Sequence, residues 1–508
     1  MTEDCLHLIG IDIGTQGVKA VLVDQHGVTL ATAFRSSVLN RPSPGVVEED
    51  PELQLKNVCE VVGEVTLTSG IKPDTVAGIG IDGQMAGIIG IGKEGHHLTP
   101  YDSWLDTRCA PYIDEMRDVA GQEIILKTGG PASFNHGPKI LWWQRERPEI
   151  YKNIASFVQP GGYVAMRLCG LGASDAFIDT TYLHFSGFAD NVKGQWDADL
   201  CRTFGVDLSI LPEIVDPSKV IGRLNTNMAA SCGLPEGIPV VAGCGDTAAS
   251  FLACGATREG VCVDVAGTAS VFAGTTETYA PDIENEVLGW GRSATPGLWH
   301  PYAYINGGGM NLEWFRKELA TRKGEDAVSL EVLNTQTENL HFAVDDPLFV
   351  PHLGGRNSPS WPKLRGAWAG LDWSHSLAHM YRAVLEGVAL EYGVYRDALT
   401  GGVPDLNLRE VRVTGGGEKS ALWNRIKADV LGVDVVQVTR GEGAPLGAAL
   451  LAGYGVGLFN DLNDTAARWI GTSAPVQPDS ERRAIYDIRL KRYKKLLQCL
   501  HLWENDHT

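Results

Sequence analysis

An acidic residue set inside an apolar strand, then a glycine turn, then a second apolar run: this pattern constrains the chain more than any other. It opens the sequence as "IGIDIGTQGVKAVLVD" (9–24) and returns past the midpoint as "VCVDVAGTASVFAG" (261–274), with one extra residue between Asp264 and Gly267. Two such strand–turn–strand units, each starting one half of the chain, predict two related α/β domains. A length of 508 residues is more than one domain usually spans. The transition is expected within residues 248–258, giving a first domain over 1–252 and a second over 253–508.

Composition narrows the class. Apolar residues at 44% and charged residues at 21% suit a globular protein with a large core. A formal charge of −19 disfavours a nucleic acid or an anionic membrane as partner, yet leaves room for an anionic small ligand held by local backbone amides. The ten cysteines include no CxxC pair, so free thiols in a reducing cytosol are expected rather than a disulfide framework or a zinc site. No run approaches the roughly 18 apolar residues of a membrane span, and the acidic "MTEDCLHLIG" is no secretory leader. A soluble cytoplasmic protein is the expectation.

The first eighty or so residues read strand, strand, strand, helix, strand. "LHLIGID", "VKAVLVD" and "VTLATAF" are rich in branched apolar residues, and "QHG" supplies a hairpin turn. Pro51 suits the first turn of a helix through "EEDPELQLKNVCEVVGEVTL". "VAGIGIDGQMAGIIGI" gives two strands around a polar break at Asp82 to Gln84. Near the end, "DSERRAIYDIRLKRYKKLLQCLHLW" predicts a surface helix of the second domain, with Ser480 as N-cap and its Lys/Arg run on a solvated face.

Familiar nucleotide motifs are missing. "TGGGEKS" (414–420) fails as a P-loop because Glu418 precedes Lys419, no GxGxxG leads from a strand into a helix, and neither HExxH nor GxSxG occurs. The opening hairpin suits phosphate all the same. Gly14 and Gly17 permit close approach of a ligand, the Thr15 hydroxyl and turn amides can donate, Lys19 adds a cation, and Asp12 can hold Mg²⁺. An ordinary turn with Asp12 capping nearby amides fits the same residues. In "VVAGCGDTAASFLACGA" (240–256), Asp246 opens an Ala-rich helical pattern, where the positive helix end keeps it ionised. It is either a plain N-cap or a general base that takes a proton from an alcohol attacking phosphorus. Gly415–Gly417 and Gly307–Gly309 each lie between a strand and a helix, open to nucleotide or simply to tight packing.

Taken together, these residues resemble the FGGY carbohydrate kinases, and among them the xylulose kinases, over nearly the whole chain and in order. "VEEDP", "GIDGQMAG", "SWLDTRC", "GCGDTAA", "VAGTASVFAG" and "TGGGEKSALWNRIKADVLG" all take part. The most specific stretch is "GAWAGLDWSHSLAHMYRAVLE" (366–386), which agrees at every constrained position of the family's second signature. "FNHGPKILWWQRE" fits the first signature less well, with His136 and Trp143 at unusual places. Ala86 stands where xylulose kinases usually carry the histidine of Gln-Met-His-Gly, which bears on the substrate.

The resemblance implies two actin-like ATPase (ribonuclease H-like) domains, each on a mixed five-stranded sheet, with the active site in the interdomain cleft. It implies ATP-dependent phosphorylation of a sugar hydroxyl, a ketopentose such as D-xylulose first, with another ketose, a polyol or a sugar acid as the alternative. Asp246 would be the base and Asp12 the Mg²⁺ residue. Thr15, Gln16, Lys19, Gly267 and Thr268 would hold phosphates, and Gly309, Gly416, Gly417 and Ser420 would line the nucleotide pocket. Gln84, Met85, Trp104, Asp106 and Asp246 would face the sugar. An indole face can cover C–H groups and a carboxylate can accept from hydroxyls, although a packed Trp104 and a capping Asp106 fit equally. The expected partners are a small sugar and Mg·ATP, without nucleic acid or membrane, in a homodimer. The same fold also serves ATP-driven chaperones and filament proteins, and a silent sugar-sensing regulator is a further alternative. Asp12, Asp246 and the 366–386 match favour the kinase.

Overall fold

The computed structural model describes residues 5–338, 340–439 and 441–505. Contacts divide the chain into two units. The first comprises Met1–Thr257, Trp290–Trp299 and Arg440–Gly471; the second comprises Arg258–Gly289, His300–Thr439 and Thr472–Thr508.

The first unit is built on a seven-stranded mixed sheet. Its strands are β1 (His7–Ile13), β2 (Gly17–Asp24), β3 (Thr29–Ser36), β4 (Val76–Gly83), β5 (Val220–Arg223), β6 (Pro239–Val241) and β7 (Cys244–Gly245). They run in the order β5-β6-β4-β1-β2-β3, with β7 also beside β4. β1, β2 and β3 form an antiparallel meander, and β4 joins β1 in parallel.

One face of this sheet carries Ile9, Ile11, Ile13, Val18, Ala20, Leu22, Ile79 and Ile81, all at or near zero exposure. Helix Pro51–Ser69 covers it with Leu55, Val58, Val61, Val62 and Val65, in one continuous core with Tyr163 and Val164 of helix Pro160–Cys169. Each such fully buried aliphatic side chain contributes about 1.5–3 kcal/mol. The covering helix starts where Pro51 predicts, capped by the Asp50 carboxylate accepting from Glu52 N at 2.9 Å.

The opposite face is shaped by missing side chains. Helix Ala444–Gly455 lies on it so closely that a Cβ at Gly10 would sit 1.8 Å from the Pro445 carbonyl oxygen. A Cβ at Gly80 would sit 2.1 Å from that of Ala448, and one at Gly78 2.9 Å from the Val456 side chain. From Gly78 to Gly80 the touching helix residue moves back from Val456 to Ala448, so the helix runs against β4. Its N-terminus therefore lies at the end of the sheet where β1 and β4 finish.

The second unit repeats the plan. Its sheet has six strands, so neither sheet has the five expected of each domain; five of them, β8 (Val261–Ala266), β9 (Ser270–Ala273), β10 (Trp299–Ile305), β11 (Glu410–Thr414) and β12 (Asp434–Gln437), follow the order β10-β9-β8-β11-β12. β8 and β9 are antiparallel, while β8–β11 and β11–β12 are parallel, as in β3-β2-β1-β4-β6 of the first unit. The repeated strand–turn–strand motif thus does mark two copies of one fold. Helix Ser480–Asn505 belongs to this unit, but Asp479, not Ser480, caps it, accepting from Glu481 N and Arg482 N at 3.0 Å each. Its basic run is not all solvated either: Arg489 is fully buried and donates to Glu386 at 2.5 Å. All ten cysteines are free, and among the described residues no helix is long and apolar enough to cross a membrane.

Candidate active site

Sheet register assembles the acidic centre of the first unit. Asp12 lies opposite Lys19 on β2 and opposite Asp82 on β4, and Asp82 in turn lies opposite Cys244 on β7. Cross-strand partners project to one face, so Lys19, Asp12 and Asp82 form a row at the finishing ends of β1 and β4. This is the edge at which open α/β sheets take ligands. Asp246 begins helix Asp246–Ala253 two residues beyond Cys244. That helix packs on helix Ala444–Gly455, where a Cβ at Gly447 would come within 2.1 Å of the Ala249 carbonyl oxygen. Both helices start at this end of the sheet, where their unsatisfied N–H groups and positive dipole ends lie.

Negative charge is nevertheless undercompensated. Asp82 is fully buried and neither of its oxygens accepts a hydrogen bond from a conventional donor; Oδ1 of Asp12 is likewise buried without one. Burial, then the charge of Asp12, pushes the Asp82 carboxyl well above the usual range. Burial also raises Asp12, offset by its contact with the Asp82 carboxyl and by Lys19. Two carboxyls this close hold a proton between them unless a cation takes its place. Asp246 is raised to about 7 by burial first and by Asp12 second, against hydrogen bonds from Thr247 N at 2.6 Å and Thr247 Oγ1 at 3.1 Å. The cation of the row is already committed, since Lys19 Nζ donates to Glu442 Oε2 and to the Glu442 carbonyl, each at 2.9 Å.

Around the first hairpin, Gly14 N donates to Gly17 O at 3.0 Å and Gly17 N to Gly14 O at 3.2 Å, which sets Thr15 and Gln16 at the tip. A polar chain runs inward from there. Trp104 Nε1 donates to Thr15 Oγ1 at 2.8 Å, Thr15 Oγ1 to Gln84 Oε1 at 3.3 Å, and Gln84 Nε2 to Glu49 Oε1 at 2.8 Å. The half-exposed Trp104 indole thereby stands over the phosphate-type turn. Met85 is buried against Gly245, and its carbonyl oxygen lies 2.7 Å from His136 Nε2, whose proton affinity burial lowers to about 4. Asp106 sits elsewhere in character. It is fully buried, and its oxygens accept from Val47 N at 2.8 Å and from the Arg108 guanidinium at 2.7–2.9 Å. Arg108 also reaches Glu48 at 2.7 Å, so Asp106 anchors the loop that carries Trp104.

In the second unit the glycine turns converge. Gly309 N donates to Gly267 O at 3.0 Å and Met310 N to Thr268 O at 3.1 Å, so helix Gly308–Trp314 starts directly on the second hairpin. A Cβ at Gly309 would be 2.5 Å from Gly267 O, and one at Gly417 2.6 Å from the Ala266 side chain. Gly415, at φ +89°, brings the turn after β11 against Ala266 O, while the neighbouring Gly416 is exposed. Ser420 Oγ caps helix Ala421–Leu431 by accepting from Trp423 N at 3.2 Å. Gly267, Thr268, Gly309, Gly416, Gly417 and Ser420 thus gather at the ends of β8 and β11.

The two strand aspartates differ sharply. Asp264 is fully buried but answered by the Lys427 ammonium and by Tyr392 OH at 2.7 Å. It is a structural ion pair, whereas Asp12 faces another acid. Sequence reasoning passed over Asp82, Glu49 and Glu442. For Asp82 a signal existed: Ile-Gly-Ile-Asp occurs at 9–12 and again at 79–82.

Family models agree with this arrangement. The FGGY carbohydrate kinase N-terminal domain matches residues 7–253, and the C-terminal domain matches 262–456. A xylulose kinase of Bacillus subtilis is 27% identical over 500 residues, covering 96% of each chain. A gluconokinase of the same organism is 26% identical, covering 99% of this chain and 97% of its own. The crystal structure of xylulose kinase from Rhodospirillum rubrum superposes with a TM-score of 0.90 at 28% identity, over 98% of this chain and 100% of that one. With both family domains matched in order on a duplicated fold, the chain belongs to the FGGY family of carbohydrate kinases and is a sugar phosphotransferase.

Proposed function

We propose that the protein transfers the γ-phosphoryl group of ATP to a hydroxyl of a ketopentose such as D-xylulose. The observation that carries this reading is Asp246, a carboxyl held at a helix N-terminus beside Asp12 with its proton affinity near neutrality. A base so tuned takes the sugar hydroxyl proton as that oxygen attacks phosphorus. Asp12 would hold Mg²⁺, and its unanswered buried oxygen fits that demand. The ion, when bound, neutralises charge on the transferring phosphates. Thr15 and Gln16 at the hairpin tip would meet phosphate oxygens, while the glycine turns of the second unit would receive the nucleotide. Lys19 would reach a phosphate only by leaving Glu442.

Gln84 and Trp104 would orient the sugar, with Met85 as packing beneath it. Ala86 favours a second choice of substrate within the same chemistry, because a site lacking a histidine donor discriminates less for the hydroxyl that histidine would bind. The similarity to a gluconokinase supports including sugar acids. ADP release measured across ketopentoses, ketohexoses, polyols and sugar acids tests the reading. A ketopentose with the highest kcat/KM supports it, and a polyol or sugar acid in that place replaces the substrate while keeping the reaction. Asp246→Asn should lower kcat about 10²–10⁴-fold with ATP affinity near wild type; undiminished turnover removes Asp246 as the base.

A further inference from the structure

The two copies of Ile-Gly-Ile-Asp pair with each other. Ile9 lies opposite Ile79, Gly10 opposite Gly80, Ile11 opposite Ile81 and Asp12 opposite Asp82, in parallel register without a shift. Each copy performs the same three tasks. The isoleucines enter the core under helix Pro51–Ser69, the glycine admits helix Ala444–Gly455, and the aspartate ends in the acidic row. Neither the base role of Asp246 nor the phosphate turns gives Asp82 anything to do.

Its surroundings make that notable. A fully buried carboxyl without a conventional donor on either oxygen, set against a second carboxyl, is costly. A serine or alanine at this position would avoid the cost. Among the described residues no group of three or more His, Cys, Asp or Glu side chains could hold a metal ion, so a protein-only cage is absent there. A carboxylate pair is nonetheless what a hard divalent cation takes when water and phosphate complete its shell.

We propose that Asp82 is a second carboxylate ligand, which with Asp12 lets the chain bind a divalent cation before nucleotide arrives. The cation's part in phosphoryl transfer rests on the kinase reading; its binding does not. Bound there, it answers buried carboxylate oxygens that no conventional donor reaches, and it explains why a buried acid stands on β4.

The test measures free Mn²⁺ by electron paramagnetic resonance on the full chain after chelator treatment, with neither sugar nor nucleotide. The wild type is expected to take up one Mn²⁺. Asp82→Asn and Asp12→Asn are each expected to weaken uptake roughly 10–100-fold. Melting supplies a second readout: without metal, Asp82→Asn should melt above wild type, and Mn²⁺ should raise its melting temperature less. Wild-type affinity in Asp82→Asn, or no Mn²⁺ uptake by the wild type at millimolar concentration, overturns the inference. Should Asp82→Asn fail to fold, Asp82→Ser is measured in the same two ways and judged by the same outcomes. If Asp82→Asn loses turnover but keeps Mn²⁺ affinity, the metal assignment fails and the kinase reading stands. If Mn²⁺ uptake depends on Asp82 while no sugar elicits ADP, the kinase reading fails and the site stands.

Discussion

Adding one methyl group at Gly80 should be far more damaging than adding one at a glycine with open space around it. In Gly80→Ala the new Cβ would lie 2.1 Å from the Ala448 carbonyl oxygen, 2.9 Å from its carbon and 3.2 Å from the Ala452 Cβ. The nearest obstacles are backbone, so no rotamer change relieves them, and helix Ala444–Gly455 has to retreat by roughly 1 Å. Overpacking of this kind costs about 1–3 kcal/mol, occasionally more. In a unit of this size each kcal/mol lowers Tm by about 2–4 °C, so a fall of roughly 2–12 °C is expected. Gly401→Ala is the matched control. It makes the same chemical change in helix Leu377–Gly402 with nothing within 4 Å, and should stabilise by about 0.5–1 kcal/mol. Because Asp82 follows Gly80 by two residues, a shift of that size should also lower kcat/KM on the order of 100-fold. Thermal melting followed by fluorescence, together with ADP-release rates, reads both effects. A Gly80→Ala protein that melts at or above wild type would refute the close contact between helix and sheet.

Two other perturbations have clear signs. Asp246 must be ionised to accept a proton, so kcat/KM should fall about tenfold per unit as pH drops below about 7; a flat profile between pH 8 and 5 would count against it. The stability sign is opposite. A carboxyl raised in the folded state contributes stability that is present at low pH and lost as pH rises through about 7, so the metal-free protein should melt higher near pH 5 than near pH 8, and Asp246→Asn should flatten that slope. Lys427→Met strands the buried Asp264 carboxylate and should cost about 3–5 kcal/mol, read as a lower denaturation midpoint.

Local pattern was enough to read much of this. The strand–turn–strand repeat foretold two copies of one fold, and Pro51 and Asp246 marked helix starts that the structure keeps. What escaped was non-local. Asp12 and Asp264 look alike in sequence, and only a lysine 163 residues away separates a satisfied acid from an unsatisfied one. Asp106 carries the right chemistry for a sugar contact, but Arg108 and Val47 N claim its oxygens. The 366–386 stretch, most specific to the family, contributes largely scaffold: Gly370 takes a φ of +84°, and Glu386 is buried between Arg382 and Arg489. Asp82 was hidden for a different reason, since an acid after an apolar run reads as a strand end until β4 is laid beside β1.

Helix Ala444–Gly455 also sets a timetable for biosynthesis. The sheet it covers is complete in sequence once Gly245 is made, yet its glycine-lined face has no partner until nearly two hundred further residues beyond Thr257 leave the ribosome. At cellular elongation rates that is a delay of about 10–40 s. Throughout that interval the nascent first unit leaves this glycine-lined face uncovered, and a chain terminated before the helix never covers it.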